Sequence, residues 1–133
     1  MDVRIFETVN GGNLVVISRK SAVIFEAEET IGNQGLKFIF EFGEETFLEL
    51  VDYLQTVSNK SWSNFVPTEC NSCGSDYSEY YDRALDNNGY LDFRENTLRI
   101  ERPTLESTKL YQFNKKKMES FVYDLKKVLG NGV

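Results

Sequence analysis

The chain has 133 residues, 41% of them hydrophobic and 14% aromatic, enough for one core without disulfides or metal and too little for a second independent domain. Its formal charge of −6 argues against a broad phosphate-binding surface, because non-specific nucleic-acid affinity comes mainly from lysine and arginine displacing counterions. Histidine is absent, which removes the commonest general base near neutral pH, the usual partner of a triad nucleophile and the commonest metal ligand.

No apolar run reaches the roughly 18 residues of a membrane span. The start, Met1-Asp2-Val3-Arg4, lacks the basic-then-apolar layout of a signal peptide, so a cytoplasmic protein with no membrane partner is expected. Val3 to Thr8 reads as a strand, and Asn10-Gly11-Gly12 as the turn of a hairpin into a second strand, Asn13 to Ser18. Leu14, Val15, Val16 and Ile17 are apolar on both parities, which predicts a strand covered on both faces. Ala22 to Ala27 continues the sheet after the Arg19-Lys20-Ser21 turn. Beyond a polar loop from Glu28 to Gly35, Leu36, Phe38, Phe40 and Phe42 alternate with Lys37, Ile39 and Glu41, a fourth strand with one aromatic face. From Glu44 to Val57, Phe47, Leu50, Val51, Leu54 and Val57 recur at helical spacing, and Glu44 and Glu45 suit the positive end of the helix dipole.

Ser58 to Gly74 shows no sustained period and is read as a loop. Asp76 and Glu79 form a capping box for a short helix with Tyr77, Tyr80, Tyr81, Ala84 and Leu85 on one face, ended by Asn87-Asn88-Gly89. Tyr90 to Arg94 and Thr97 to Arg102 form a hairpin around Glu95-Asn96, and Thr108 to Phe113 a further strand. The last helix runs from Lys115 to Leu129, with Asn114 as N-cap, Gly130 as stop and an apolar face of Met118, Phe121, Val122, Leu125, Val128 and Leu129.

An offset of 71 residues superposes the two strand-to-helix junctions: Phe40 on Tyr111, Phe42 on Phe113, Phe47 on Met118, Leu50 on Phe121, Val51 on Val122, Leu54 on Leu125 and Val57 on Val128. The expected fold is therefore α+β, with antiparallel sheet or sheets from two pseudo-repeated units. Four strands and a helix span about 1–58, and three strands and a helix about 90–130. They are joined by a loop and short helix over 59–89, all in one domain over 1–133. Convergence of two strand-to-helix junctions on one pattern is the alternative. In unit order the chain resembles the PC4/Whirly group of single-stranded-DNA binders, which pair units of four strands and a helix. That resemblance implies a strand surface facing nucleic acid, although the lysine-rich strands of such binders are missing here.

Cys70 and Cys73 have the C-x-x-C spacing of half a zinc site or a redox dithiol, but no third cysteine or histidine exists to complete a metal site, so two incidental thiols and no cofactor are expected. Asp76, Tyr77, Glu79, Tyr80, Asp82 and Asp86 combine tyrosine with carboxylates, a composition suited to a basic protein partner. The competing reading has one face of that helix on the sheet and the acids in water. Arg19, Lys20, Lys115, Lys116 and Lys117 are the alternative contacts, for an anion or nucleic acid. The three lysines oppose their own helix dipole, and a solvated charge run is the plainer account of them. With no base and nucleophile constellation, the expectation is a non-enzymatic acidic protein-binding module of the inhibitor or immunity type, and second a single-stranded nucleic-acid binder using exposed sheet aromatics.

Overall fold

The computed structural model describes residues 2–28, 37–68, 90–101 and 109–129. Along the chain come β1 (Asp2–Phe6), β2 (Leu14–Arg19), β3 (Ala22–Ala27), β4 (Lys37–Glu41), α1 (Glu44–Ser61), β5 (Tyr90–Arg94), β6 (Thr97–Glu101), β7 (Lys109–Phe113) and α2 (Lys115–Leu129). They make an α+β fold of two antiparallel sheets, ordered β1-β2-β3-β7 and β4-β6-β5, with two helices.

β1 and β2 pair from Asp2↔Ser18 to Phe6↔Leu14, across a turn in which Gly11 takes φ 107°, a conformation that glycine adopts without a Cβ clash. β2 and β3 pair from Leu14↔Ala27 to Arg19↔Ala22, closed by Ser21 at φ 66°. The fourth strand does not continue this sheet. β4 leaves this sheet and pairs with β6, from Lys37↔Glu101 to Glu41↔Thr97, while β7 joins β3 with Val23 opposite Phe113. Each strand that leads into a helix therefore lies beside strands from the other half of the chain. The alternation in β4 specifies that Phe38 and Phe40 face inward; beside β6 they fall opposite Ile100 and Leu98, which are also buried, so the inner face is apolar without a break.

Both helices lie on the core. α1 buries Phe47, Leu50, Val51, Leu54, Val57 and Ser58, and α2 buries Met118, Ser120, Phe121, Val122 and Leu125. Phe121 joins the layers: its ring centroid is 5.2 Å from Phe113 and 6.2 Å from Phe25 in one sheet, and 5.9 Å from Phe93 in the other. Buried apolar residues from both sheets and both helices join in one cluster.

Three sequence expectations are revised here. α1 runs past Val57 to Ser61, because Ser58 is buried while Asn59 and Lys60 reach water, so the expected loop begins at Trp62. Within 62–68, Trp62 and Phe65 are buried and stack at 5.9 Å, and the Val66 and Thr68 amides donate to the Glu119 side chain (3.0 Å) and carbonyl (3.2 Å). Next, β2 is covered on one face only: Leu14 and Val16 are buried, whereas Val15 and Ile17 are half-buried because the helices sit on the inner side of the sheet. Val128, placed on the apolar face of α2, is exposed at the last turn.

Candidate functional site

The two helix starts sit at differently charged surfaces. α1 begins at Glu44, after Gly43, whose extended backbone offers no side-chain cap. Two turns hold this junction. From the β1–β2 turn, the Val9 amide donates to the Glu41 carbonyl (2.7 Å), Asn10 Nδ2 donates to the Ile39 carbonyl (2.9 Å) and Asn10 Oδ1 accepts from the Glu41 amide (3.2 Å). The Asn10 side chain thereby pairs with the outer edge of β4 as a neighbouring strand would. From the β5–β6 turn, the Phe42 amide donates to the Asn96 carbonyl (3.0 Å) and Asn96 Nδ2 donates to the Phe42 carbonyl. The outcome is an acidic patch. Glu41, Glu44, Glu45 and Glu49 are exposed, and so are Val9 (64%), Ile39 (56%) and Leu48 (49%) between and beside them. Glu49 also meets Arg4 at 3.3 Å, and that guanidinium lies over the Phe6 and Tyr53 rings. Burial raises the Tyr53 hydroxyl above its ordinary pKa, the Asp2 carboxylate raises it further and Arg4 opposes them.

α2 begins where the β2–β3 turn ends the first sheet, because Phe113 lies opposite Val23 and Val23 opposite Ser18. Asn114 caps it: its Oδ1 accepts from the Lys117 amide at 2.8 Å. The same turn is tied to the end of α1, with Ser61 Oγ donating to the Arg19 carbonyl (2.7 Å) and the Ser21 amide donating to the Ser61 carbonyl (3.1 Å). Arg19, Lys20, Lys115, Lys116 and Lys117, singled out from the sequence, thus share one end of the molecule, and Lys60 joins them. A cleft of about 220 Å³ opens there between Ser18, Arg19, Lys20, Lys60, Ser61 and Asp2. Sequence reading missed Lys60 and Ser18: ending the helix at Val57 hid the first, and the second is an ordinary strand residue.

A groove of about 350 Å³ crosses the outer face of the three-stranded sheet, where Arg99 holds Asp92 by two bonds (2.9 and 2.7 Å) beside Lys37, Ile39 and Glu101. Among the described residues, no group of three or more histidine, cysteine, aspartate or glutamate side chains is placed to hold a metal ion. No described helix is long and apolar enough to cross a membrane. Asp76, Tyr77, Glu79, Tyr80, Asp82 and Asp86, and the pair Cys70 and Cys73, lie outside the described residues. The aromatics expected on an open sheet face are instead in the core where described: Phe25, Phe38, Phe40, Tyr111 and Phe113 are all buried, because the helices occupy the face to which their alternation points them.

In comparisons with known proteins, no protein family, no curated protein and no solved structure matches this chain.

Proposed function

We propose that the chain is a non-enzymatic, acidic protein-binding module of the inhibitor or immunity type, acting in the cytoplasm by surface complementarity to a basic partner. One observation carries the reading: Val9, Ile39 and Leu48 stand exposed among Glu41, Glu44, Glu45 and Glu49, at a junction braced by the Asn10 and Asn96 side chains. Exposed apolar side chains beside carboxylates provide area to bury together with a field that steers and orients a cationic partner. The tyrosine-rich acidic segment from Asp76 to Asp86 would extend the same chemistry. Capture of binding proteins on the immobilised wild-type chain tests it, compared with a Glu44→Lys/Glu45→Lys variant and an Asp82→Lys/Asp86→Lys variant. A basic protein held by wild type and lost from the first variant supports the junction as the surface, loss from the second alone moves the surface to the middle segment, and equal retention by both rejects the acidic-contact mechanism.

The chain is further proposed to be a single domain of two diverged copies. The positions matched at the 71-residue offset are buried in both halves from Phe40 and Tyr111 through Leu54 and Leu125, and the matched pair Gln55 and Lys126 meet directly, Lys126 Nζ donating to Gln55 Oε1 at 2.7 Å. Contact between equivalent residues is what an internal two-fold axis passing between α1 and α2 produces.

A further inference from the structure

We infer that the cleft between the β2–β3 turn and the end of α1 is a binding site for a phosphate group. Three cations from two elements, Arg19, Lys20 and Lys60, line it against one carboxylate, Asp2, on a chain whose formal charge is −6. None of the three forms a salt bridge among the described residues; the bridges there join Arg4 to Glu49 and Arg99 to Asp92. The Ser61 hydroxyl and carbonyl tie the end of α1 to the backbone of Arg19 and Ser21, which brings the three cations to one place before any ligand arrives. Ser18 adds a polar group to the lining. It lies at the strand end on the wall of the cleft, so its hydroxyl can turn toward a ligand there.

Phosphate is the ligand this donor set fits. The arginine fork can hold two phosphate oxygens, the lysines add charge from separate directions, and the Ser18 hydroxyl supplies a neutral donor. Lys115 and Lys116, at the start of α2 on the same end, raise the local potential together with the helix dipole. Recognition is of the oxyanion and not of bases, because the described strand aromatics are buried and offer no stacking platform. The site lies at the opposite helix junction from the acidic patch and does not rest on the protein-binding reading.

The test is a titration of the full chain with inorganic phosphate at low salt, followed by backbone amide NMR. A short oligothymidylate is titrated in parallel by fluorescence anisotropy over a range of salt. Saturable shifts confined to Ser18, Arg19, Lys20, Ser21, Lys60 and Ser61 are expected. Arg19→Gln combined with Lys60→Gln should weaken binding about tenfold or more, with Lys20→Gln as a second variant, and Asp2→Asn should strengthen it. Oligothymidylate binding tighter than phosphate, with log K falling linearly against log salt, identifies the source as a nucleic-acid backbone; binding no tighter than phosphate identifies a small phosphorylated compound, and both support the site. Absence of saturable shifts at millimolar phosphate together with no oligothymidylate binding overturns it. So does undiminished binding by folded Arg19→Gln/Lys60→Gln and Lys20→Gln variants.

Discussion

The β4–α1 and β7–α2 junctions use the same apolar plan and opposite surface charge. In both, an aromatic strand end, Phe42 or Phe113, precedes a helix whose inner face is buried, and a hairpin turn from the partner half lies against the start. Yet α1 opens with Glu44 and Glu45 on a glycine N-cap, whereas α2 opens with three lysines behind the Asn114 cap. Core packing tolerates little change in shape, while the solvent face of a first turn costs less than about 1 kcal/mol per charge to alter, so the surface is where the two junctions have freedom to differ. α1 gains from its dipole what it lacks in a cap; α2 has the cap and works against its dipole.

The largest effect that separates the two halves should come from the core. Phe121→Ala removes the ring that touches both sheets and is expected to cost about 3–5 kcal/mol, against about 2–5 kcal/mol for Leu50→Ala at the matched position. Urea unfolding of the two variants measures both, and a Phe121→Ala cost below about 1 kcal/mol would show that the layers are not joined through this ring.

Caps come next. Asn114→Ala should lose about 1 kcal/mol, while Gly43→Asn should gain a few tenths, since its φ of −66° suits any residue and the nearest atom to an added Cβ is 4.0 Å away. Thermal melts of the pair would reverse in sign if the two starts were equivalent. Smaller again is the dipole term. Lys115→Glu and Lys116→Glu are each expected to stabilise by about 0.3–1 kcal/mol, and Glu44→Lys and Glu45→Lys to destabilise by a similar amount. Both effects should shrink in high salt, and equal responses with and without salt would assign them to something other than charge.

The smallest effect concerns Tyr53, on the flank of α1. Its folded pKa is raised, so its contribution to stability is complete below the unfolded value of about 10 and is lost as pH rises through the folded value. Stability should therefore decline on the alkaline side, and Tyr53→Phe should flatten that decline. An unchanged alkaline profile in the variant would assign the loss to other groups.

Both helices and the strands were legible from residue spacing, because amphipathic periods of two and 3.6 are local properties. α2 begins and ends as read, and its Asn114 cap is formed; β3 matches its expected span. The end of α1 was not legible, since Ser58 to Ser61 carries no apolar signal and Ser58 is helical because the core covers it. Of the candidate residues, the basic ones were named from charge alone, but nothing in sequence order joins Arg19 to Lys60 or to Lys115.

By itself the sequence determined the inward faces of β4 and α1, where α2 is capped, and that one helix opens acidic and the other basic. Only the tertiary structure decided that β4 and β7 exchange sheets, that the strand aromatics are buried, and that the scattered cations meet at one end while Val9, Ile39 and Leu48 gather with the carboxylates at another. The reason is physical: alternation specifies the face a side chain takes, but the choice of neighbouring strand depends on which pairing completes an apolar inner face, and that is a property of the whole core.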